Sequence, residues 1–409
     1  MGLLVQKFGG TSVADPDRIR AVADHVARTR RAGDDVVVVV SAMGKTTDNL
    51  IRLAQDVAKR PDGREMDMLL TAGERISMAL LCMAVEDLGV PAVSFTGSQA
   101  GILTDTDHGR AKILEVRGDR IRDAIAAGQV AIVAGFQGVS TGRDVTTLGR
   151  GGSDTTAVAL AAALGADACE IYTDVEGVYT ADPRIVPDAR KLPLVSFEEM
   201  LEMAATGGRV LVLRSVEFAR NHDVPLHVRS SFSWAPGTWV HEEGGGVEQA
   251  IISSVTHDVS EAKVTIEQVP DRPGVAASVF RALADEGINV DMIVQNVSTA
   301  GHTDISFTIP RDDVPKANGI MDKLVIETEA TGFRSDRAIG RVSLVGAGMK
   351  TNPGIAATMF EVLANENVNI EMISTSTIRI SCVVKEDDVE RAVRALHDAF
   401  ELSKEPQPQ

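Results

Sequence analysis

The sequence has little cysteine and no long hydrophobic run. Its three cysteines, Cys82, Cys169 and Cys382, lie far apart in the 409 residues and mostly within apolar segments. Their spacing matches no metal motif and favours reduced thiols in a protein core. No apolar run approaches the roughly 18 residues that a membrane span needs, and the short apolar stretch at 3–5 excludes a signal peptide. We therefore expect a soluble cytoplasmic protein with no membrane partner.

Positive charge is also scarce, because 41 Lys and Arg face 58 Asp and Glu, which gives a net charge of −17 at pH 7. A negative long-range field repels nucleic acids and anionic membranes, so neither is expected as a partner. It does not exclude a small anion at a local basic site. The chain is 44% apolar and 24% charged, as in ordinary globular proteins, and its length predicts two or three domains.

A P-loop is absent as well. The segment SAMGKTT at 41–47 contains Gly-Lys-Thr, but GxxxxGK[ST] requires a glycine at position 39, where the chain has Val39. Ser41 and Thr47 remain as hydroxyls at a strand end that suit either substrate positioning or helix capping. An NAD-dependent dehydrogenase is an alternative raised by the GxG at 346–348, although its third glycine position falls on Thr351.

The first 230 residues alternate short apolar runs with helical patterns. The predicted strands are 3–8, 36–40, 92–95, 130–134, 169–172 and 225–228, and the predicted helices are roughly 16–31, 64–88, 117–127, 154–164 and 209–221. Five consecutive valines at 36–40 cannot alternate, so this strand is expected to be buried on both faces. The pattern predicts an α/β fold, a three-layer αβα sandwich that binds ligands at the carboxyl ends of its strands.

The stretch TLGRGGSDTTAVALAAAL at 147–164 is a glycine-rich turn that leads into a helix. Gly149, Gly151 and Gly152 allow the backbone to approach a ligand and present N–H groups to it. Ser153 is the expected N-cap, so the positive end of the helix should face the same turn. Together these features favour an anion site, and the alternative is an ordinary capped turn.

Charged side chains accompany this turn. Arg150 carries a planar guanidinium that matches a carboxylate or a phosphate, and Asp154 supplies a carboxylate for a metal–phosphate group or a substrate ammonium. In KFGGTS at 7–12, Lys7 ends the first strand beside Gly9 and Gly10, which suits a bound phosphate. A strand-end lysine that only reaches solvent is the alternative.

Two further segments carry candidate ligand-binding groups. Glu74, in TAGERIS at 71–77, shares a helix face with Leu70 and Met78, so a buried carboxylate there needs a cation such as a bound ammonium. A partly exposed Glu74 paired with an arginine is the alternative. The polar loop YTDVEGVYTADPR at 172–184 follows a strand and offers side chains for a nucleotide, although Asp182-Pro183 also makes a turn.

The five motifs KFGGTS, SAMGKTT, TAGERIS, TLGRGGSDTTA and YTDVEGVYTADPR stand in the order seen in aspartate kinases. Essentially the whole chain resembles this family of the amino-acid kinase superfamily. The resemblance implies transfer of the γ-phosphoryl group of ATP, with Mg²⁺, to the side-chain carboxylate of L-aspartate. The product would be 4-phospho-L-aspartate, at the first step toward lysine, threonine and methionine.

The resemblance also implies residue roles. Lys7 would stabilise the phosphates, Glu74 would bind the amino group of aspartate, and Arg150 would bind its carboxylate. Asp154 would organise the site, and Ser41, Thr47 and Ser153 would complete the pocket. The residues implied for ATP are Lys7, Gly9, Gly10, Thr173, Asp174, Tyr179, Asp182, Arg184 and Arg209. Arg209 replaces a lysine that is usual in the family, which changes the geometry of the charge.

A Gly-, Ser- and Pro-rich linker at 231–249 separates this domain from an internal repeat. PGVAA at 273–277 recurs as PGIAA at 353–357, and NVDMI at 289–293 recurs as NIEMI at 369–373, each 80 residues later. The repeat resembles a tandem pair of βαββαβ ACT domains. The predicted organisation is a kinase domain at 1–230, the linker, a strand at 250–258, and ACT domains at 259–338 and 339–409.

The second copy ends without its last strand, so the apolar run at 250–257 is predicted to supply it. The resemblance implies effector sites for lysine, threonine or both, at Asp271, Gly274, Val275, Ala276, Asn289, Asp291, Gln295, Asn352, Ile355, Asn369 and Ile370. Thr377 replaces a glutamate common in the family, which leaves effector choice open.

Oligomers are expected, either a homodimer or a heterotetramer with a short ACT-only subunit. Because no methionine lies between Met203 and Met292, that subunit would need a non-AUG start such as Val240 or Val247. Two other functions stay open, namely a kinase acting on glutamate or acetylglutamate and a catalytically silent amino-acid-binding regulator.

Overall fold

The protein is described here by a computed structural model that covers residues 2–59, 61, 63–208, 210–242, 252–296, 301–350 and 352–404. It forms two compact units. The first comprises Met1–Val178, Lys191–Ala204 and Arg209–Gly246, and the second comprises Tyr179–Arg190, Ala205–Gly208 and Val247–Gln409. Residues 179–190 and 205–208, which the kinase domain predicted at 1–230 includes, belong to the second unit.

Hydrogen bonds within the second unit explain the two inserted segments. The backbone N–H of Val255 donates to the carbonyl of Thr180 at 2.8 Å. The hydroxyls of Thr206 and Thr256 lie 2.6 Å apart. Both segments thus join the same strand at 254–258, far away in sequence, and local sequence patterns do not encode such pairings.

Among the residues that the structure describes, the first unit contains twelve strands and most of eight helices. The strands are β1 (Leu3–Phe8), β2 (Asp35–Val40), β3 (Ala92–Phe95), β4 (Ile102–Thr104), β5 (Ile113–Val116), β6 (Val130–Ala134), β7 (Gln137–Ser140), β8 (Val145–Thr147), β9 (Ala168–Thr173), β10 (Leu194–Val195), β11 (Leu226–Ser230) and β12 (Thr238–Val240). The helices are α1 (Pro16–Arg31), α2 (Thr46–Val57), α3 (Gly63–Leu70), α4 (Ala72–Asp87), α5 (Asp119–Ala126), α6 (Gly152–Leu164), α7 (Phe197–Ala205) and α8 (Leu213–Asn221).

The main sheet has eight strands in the order β10-β12-β11-β9-β1-β2-β6-β3. All neighbouring pairs are parallel except β11 with β12. Helices α1 and α4 pack on one face and α6 packs on the other. Each of the five valines of β2 is 1% exposed or less, which confirms the strand buried on both faces. The predicted αβα sandwich is confirmed.

A smaller sheet has four strands in the order β5-β4-β7-β8, and its strand β7 follows β6 in the chain. Strand β12 corrects the predicted linker at 231–249, because Thr238–Val240 pairs with β10 and β11 in the main sheet. Its first and last residues, Thr238 and Val240, are fully buried. The Gly and Pro residues of this segment favoured a linker, so the strand was not predicted from the sequence.

One helical stretch, Gly63–Asp87, is long and apolar enough to cross a membrane by length and composition. It spans almost the same residues as the helix predicted at roughly 64–88, and it is interrupted at Thr71, between α3 and α4. Helix α4 buries Leu81 and Val85 in the hydrophobic core against the sheet. The apolar composition therefore serves a core helix of the sandwich.

The second unit contains the repeat. Its strands are β13 (Ser254–Asp258), β14 (Glu261–Pro270), β15 (Ile293–Gln295), β16 (His302–Pro310), β17 (Gly332–Asp336), β18 (Ile339–Val345), β19 (Met372–Thr375) and β20 (Arg379–Lys385). Its helices are α9 (Val275–Asp285), α10 (Val314–Thr328), α11 (Ile355–Asn365) and α12 (Val389–Ala399), with 3₁₀ turns at Arg311–Asp313, Ala347–Lys350 and Glu386–Asp388.

The two copies build equivalent antiparallel sheets, β15-β16-β14-β17 and β19-β20-β18-β13. Strand β13 takes the edge position in the second sheet that β17 takes in the first, and it pairs with β18 from Ser254 opposite Val345 to Asp258 opposite Arg341. The sequence places this completing strand in the same region, although its predicted first two residues lie outside the described part of the chain. Gly274 and Gly354 cap α9 and α11 with φ of +99° and +106°, which requires glycine at both turns.

The dinucleotide-binding alternative does not fit the second sheet. The GxG at 346–348 follows β18, whose two neighbours β13 and β20 are both antiparallel to it. A dinucleotide fold needs a parallel βαβ unit at that position.

A buried arginine joins the two copies. Arg341 on β18 is 1% exposed and ion-paired with Asp291, Glu261 and Asp258, the last two at 3.1 and 3.8 Å. Burial raises the pKa of Glu261, and the charges of Asp291 and Asp258 raise it further against the opposing effect of Arg341. One cation thus compensates three carboxylates at the junction.

We predict that Arg341→Met lowers the free energy of unfolding by about 3 to 5 kcal/mol at pH 7, because it leaves the largely buried Glu261 and Asp258 without their cation. The loss should shrink near about pH 5, because burial raises the pKa of Glu261 to about 7 and this carboxyl group is then neutral. Denaturant unfolding at the two pH values measures this. Exposed Arg337→Met is the control, and equal losses at both pH values would contradict the electrostatic explanation.

Candidate active site

Lys7 and Asp154 form an ion pair where the main sheet meets α6. Lys7 is the fifth residue of β1, and its Nζ lies 2.6 Å from Oδ1 of Asp154 in the first turn of α6. Both side chains are largely buried, 12% and 9% exposed. The pair places a compact positive charge at the carboxyl end of β1, where an αβα sandwich binds its ligands.

Two glycines bring the next turn close to this pair. A Cβ on Gly9 would lie 3.5 Å from Nζ of Lys7, and a Cβ on Gly10 would lie only 2.9 Å from the carbonyl oxygen of Ala42. The N–H of Gly44 donates to the carbonyl of Gly10 at 3.0 Å. The KFGGTS and SAMGKTT segments are therefore packed against each other at the ends of β1 and β2.

Glu74 reaches the same edge from α4. It is 4% exposed, and its Oε1 accepts a hydrogen bond from the N–H of Ala42 at 3.1 Å. Its other oxygen, Oε2, is buried and has no hydrogen-bond partner among the residues that the structure describes. Burial raises the pKa of Glu74 to about 7. The arginine partner considered from the sequence is not observed in the described residues, so a ligand cation would satisfy this carboxylate.

The glycine-rich turn before α6 differs from the prediction in one detail. The N-cap is Gly151, with φ of +70°, and Ser153 is the second residue of the helix. Ser153 as N-cap is therefore wrong, because the left-handed conformation of Gly151 starts the helix two residues earlier. Ser153 is buried, and a Cβ on Gly135 at the end of β6 would lie 2.8 Å from its Cβ.

Arg150 and Thr47 lie near the N-terminal ends of α6 and α2. Arg150 is exposed on the turn between Gly149 and Gly151, and within the described part of the chain its side chain has no ion pair or hydrogen bond. Thr47 is half-buried in the first turn of α2, and Ser41 is half-buried at the end of β2. Thr47 does not cap α2, whose N-cap is Lys45.

The residues predicted to bind the nucleotide fall into different parts of the chain. Thr173 ends β9, its hydroxyl donates to Asp174 at 3.1 Å, and its carbonyl accepts from Ser231 at 2.8 Å. The others, Tyr179, Asp182 and Arg184, belong to the second unit, where Arg184 is ion-paired with Asp182 at 2.6 Å. Arg209 lies outside the described residues.

The predicted effector residues occupy matching places in the two copies. Asn289 and Asn369 are both exposed, 80 residues apart, and Val275 and Ile355 begin α9 and α11. The remaining positions lie at the turns before α9 and α11, in the first turn of α9, or between these helices and the ends of the strands that follow them, namely Asp271, Gly274, Ala276, Asp291, Gln295, Asn352 and Ile370. Their role as effector ligands stays a prediction.

Sequence reasoning missed a buried network on the opposite face of β1. Gln6 donates to Glu170 at 2.8 Å and Arg229 donates to it at 3.0 Å. Burial alone would raise the pKa of Glu170, but hydrogen bonds from His227 and Gln6 and the charge of Arg229 lower it to about 2. Polar residues within apolar strands were the available signal. The network ties β1, β9 and β11 together beneath the site.

A model of the amino acid kinase family matches residues 2–230, and an ACT domain model matches residues 264–322 and 342–400. Aspartokinase of Mycolicibacterium smegmatis is 59% identical over 407 residues, which cover 98% of this chain and 97% of that protein. This chain belongs to the aspartokinase family.

Two solved structures of an aspartokinase share the architecture. Escherichia coli aspartokinase III in complex with aspartate and ADP, in the R-state, is 27% identical with a TM-score of 0.82. The same enzyme in complex with lysine and aspartate, in the T-state, is 26% identical with a TM-score of 0.74. Each match covers 97% of this chain and 99% of the other. The family resemblance drawn from the five motifs is confirmed.

Proposed function

We propose that this aspartokinase-family chain transfers the γ-phosphoryl group of ATP to the side-chain carboxylate of L-aspartate and releases 4-phospho-L-aspartate. The observation that carries the proposal is the buried Oε2 of Glu74, which no described residue hydrogen-bonds, at the edge that also holds the Lys7–Asp154 ion pair. The carboxylate of Glu74 suits the ammonium of an amino acid, and the Lys7 side chain of the ion pair suits a phosphate.

The reactants are both anions, so positioning and charge compensation must supply most of the catalysis. Lys7, the glycine N–H groups and the N-terminus of α6 offer positive potential to the transferring phosphoryl group. Glu74 would hold the amino group of aspartate, and Arg150 its α-carboxylate, with Ser41, Thr47 and Ser153 around them. The acceptor carboxylate is already ionised at neutral pH, so no general base is required.

Mg²⁺ would enter with ATP, since this ion is usually held by substrate phosphates and one or two carboxylates. Asp154 fits that role, because it is 6% exposed and lies beside the phosphate-binding Lys7. When bound, the ion would neutralise charge on the phosphates. Thr173 and Asp174 would contact the nucleotide from the end of β9. The roles of Tyr179, Asp182, Arg184 and Arg209 stay predictions from the family resemblance.

Regulation would come from the ACT repeat, with lysine, threonine or both as effectors at the predicted positions. Effector binding typically contributes a coupling free energy of about 1 to 3 kcal/mol. A homodimer or a heterotetramer with a short ACT-only subunit, in the cytoplasm, is the assembly that we propose. The solved complex of a relative with lysine supports lysine as the first effector to test.

An acceptor screen tests the reaction. The purified chain with Mg²⁺ and ATP should form hydroxamate-trappable acyl phosphate with L-aspartate and not with glutamate or acetylglutamate. Lysine and threonine, added separately and together, should lower this rate. Activity only with glutamate or acetylglutamate would assign another amino-acid kinase, and binding of effectors without turnover of aspartate would assign a silent regulator.

A further inference from the structure

Asp67 on α3 is a buried carboxylate outside the group of residues assigned to substrate. It is 0% exposed. Its Oδ1 accepts from the hydroxyl of Thr147 at 2.5 Å and from the N–H of Gly109 at 3.1 Å, and its Oδ2 lies 2.7 Å from Nδ1 of His108. A single carboxylate therefore connects the last residue of β8 to the loop at 105–111.

Arg214 on α8 connects the same two segments from another side. Its Nη1 donates to the carbonyl of Leu148 and its Nη2 donates to the carbonyl of Ala111, both at 2.9 Å. The N–H of Ala111 also donates to the carbonyl of Thr147 at 2.9 Å. Two charged side chains thus hold the loop at 105–111 against residues 147 and 148.

These contacts are made by the first two residues of the turn that carries Arg150. We call residues 147–151 the substrate turn. A Cβ on Gly149 would lie 3.1 Å from the carbonyl oxygen of Gly109, so the loop at 105–111 also supports the middle of the substrate turn. Arg150 itself is exposed, and its side chain has no hydrogen bond or ion pair among the described residues. Its placement depends on the backbone on which it stands.

We propose that Asp67 and Arg214 are positioning residues for L-aspartate, which hold the substrate turn in the conformation that presents Arg150 to the substrate carboxylate. This inference rests on the proposed function, in which Arg150 binds that carboxylate. Neither residue contacts the reacting atoms. Displacement of a binding group by about 1 Å can reduce the rate about 10²-fold, so a loosened turn should weaken aspartate binding.

The first test compares variants that keep or remove single hydrogen bonds. We expect Asp67→Asn to raise the KM for aspartate about tenfold and to change the KM for ATP less than about twofold. Thr147→Val should act in the same direction, and Thr147→Ser, which keeps the hydroxyl, should stay near wild type. Asp144→Asn is the matched control, because Asp144 is a partly exposed aspartate next to the same small sheet, paired with Arg64.

A double-mutant cycle with Arg150→Ala separates positioning from general destabilisation. If Asp67 acts through Arg150, Asp67→Asn should have little further effect on the aspartate KM in the Arg150→Ala background. A full additional tenfold rise there would overturn the inference, as would Thr147→Val and Thr147→Ser variants with the same KM.

The cycle also distinguishes the two proposals. If Arg150→Ala raises the KM for aspartate and Asp67→Asn does not, only the positioning role is wrong. If Arg150→Ala leaves the KM for aspartate unchanged, the assigned role of Arg150 is wrong and the inference fails with it.

Discussion

Lys7→Ala should lower kcat for aspartate phosphorylation about 10³-fold, the upper range for removal of one charge-stabilising group. Lys7 is a buried cation at the carboxyl end of β1 and 2.6 Å from Asp154. Transfer between two anions builds negative charge that water cannot screen in a closed site, so this cation stabilises the transition state more than the bound reactants. Steady-state kinetics with saturating ATP and aspartate measures the loss.

Two further variants show whether the loss of kcat is specific to Lys7. Lys59→Ala changes an exposed lysine of the same unit and should keep wild-type turnover. Lys7→Arg keeps the charge in a planar group that cannot fill the same space, so it should recover only part of the rate. If Lys7→Ala folds, by circular dichroism, and retains near wild-type kcat, the role that we assign to Lys7 is wrong.

Glu74→Gln should raise the KM for aspartate about 10²-fold, because loss of one partner of a buried charge pair costs about 2 to 5 kcal/mol. The carboxylate has one oxygen held by the N–H of Ala42 and one buried oxygen that no described residue satisfies. Glutamine keeps the size and the acceptor toward Ala42 but removes the negative charge. The KM for ATP should change little, since Glu74 would contact only the amino acid.

The raised pKa of Glu74 adds a pH dependence to this prediction. Burial raises the pKa to about 7, so the free enzyme holds a neutral Glu74 below that pH. The ammonium of aspartate pairs with the ionised carboxylate of Glu74, so the KM for aspartate should fall as the pH rises from about 6 to about 8. For folding the sign is opposite, because a raised acid pKa makes the contribution of Glu74 to stability decrease as the pH rises from 4.5 to about 7.

The control for Glu74 lies on the same helix. Glu86→Gln removes an exposed carboxylate near the end of α4 and should leave the aspartate KM and its pH profile unchanged. Glu74→Gln should instead show a flat profile. A Glu74→Gln variant with a wild-type KM and an unchanged profile would exclude Glu74 as the ammonium ligand.

Local patterns predicted much of the sandwich. The valine run of β2, the boundaries of β1, β3 and β6, and α1 from Pro16 to Arg31 follow from hydrophobic periodicity and from capping by Asp15. The helix predicted at 64–88 follows from the same periodicity, and the structure interrupts it at Thr71. The predicted linker concealed β12, whose burial comes from pairing with strands distant in sequence.

The candidate site could be predicted only in part. The motifs predicted Lys7, Glu74, Arg150 and Asp154, since charged residues close to glycines can be recognised from the sequence alone. Asp67 lacked any such signal, because its partners at 108, 109 and 147 are at least 41 residues away. The sequence shows Glu170 as a charged residue within an apolar strand. It does not show the partners Gln6 and Arg229, which are far from Glu170 in the chain.

The sequence by itself determined the family, the repeat with its period of 80 residues, and the chemistry available at each strand end, since these depend on residue type and order. Only the tertiary structure decided that Oε2 of Glu74 is buried with no hydrogen-bond partner in the described part of the chain, that Lys7 pairs with Asp154, and that Tyr179–Arg190 and Ala205–Gly208 belong with the second unit. The physical reason is that burial and hydrogen bonding depend on contacts between residues far apart in the chain, whereas periodicity and motifs record only near neighbours.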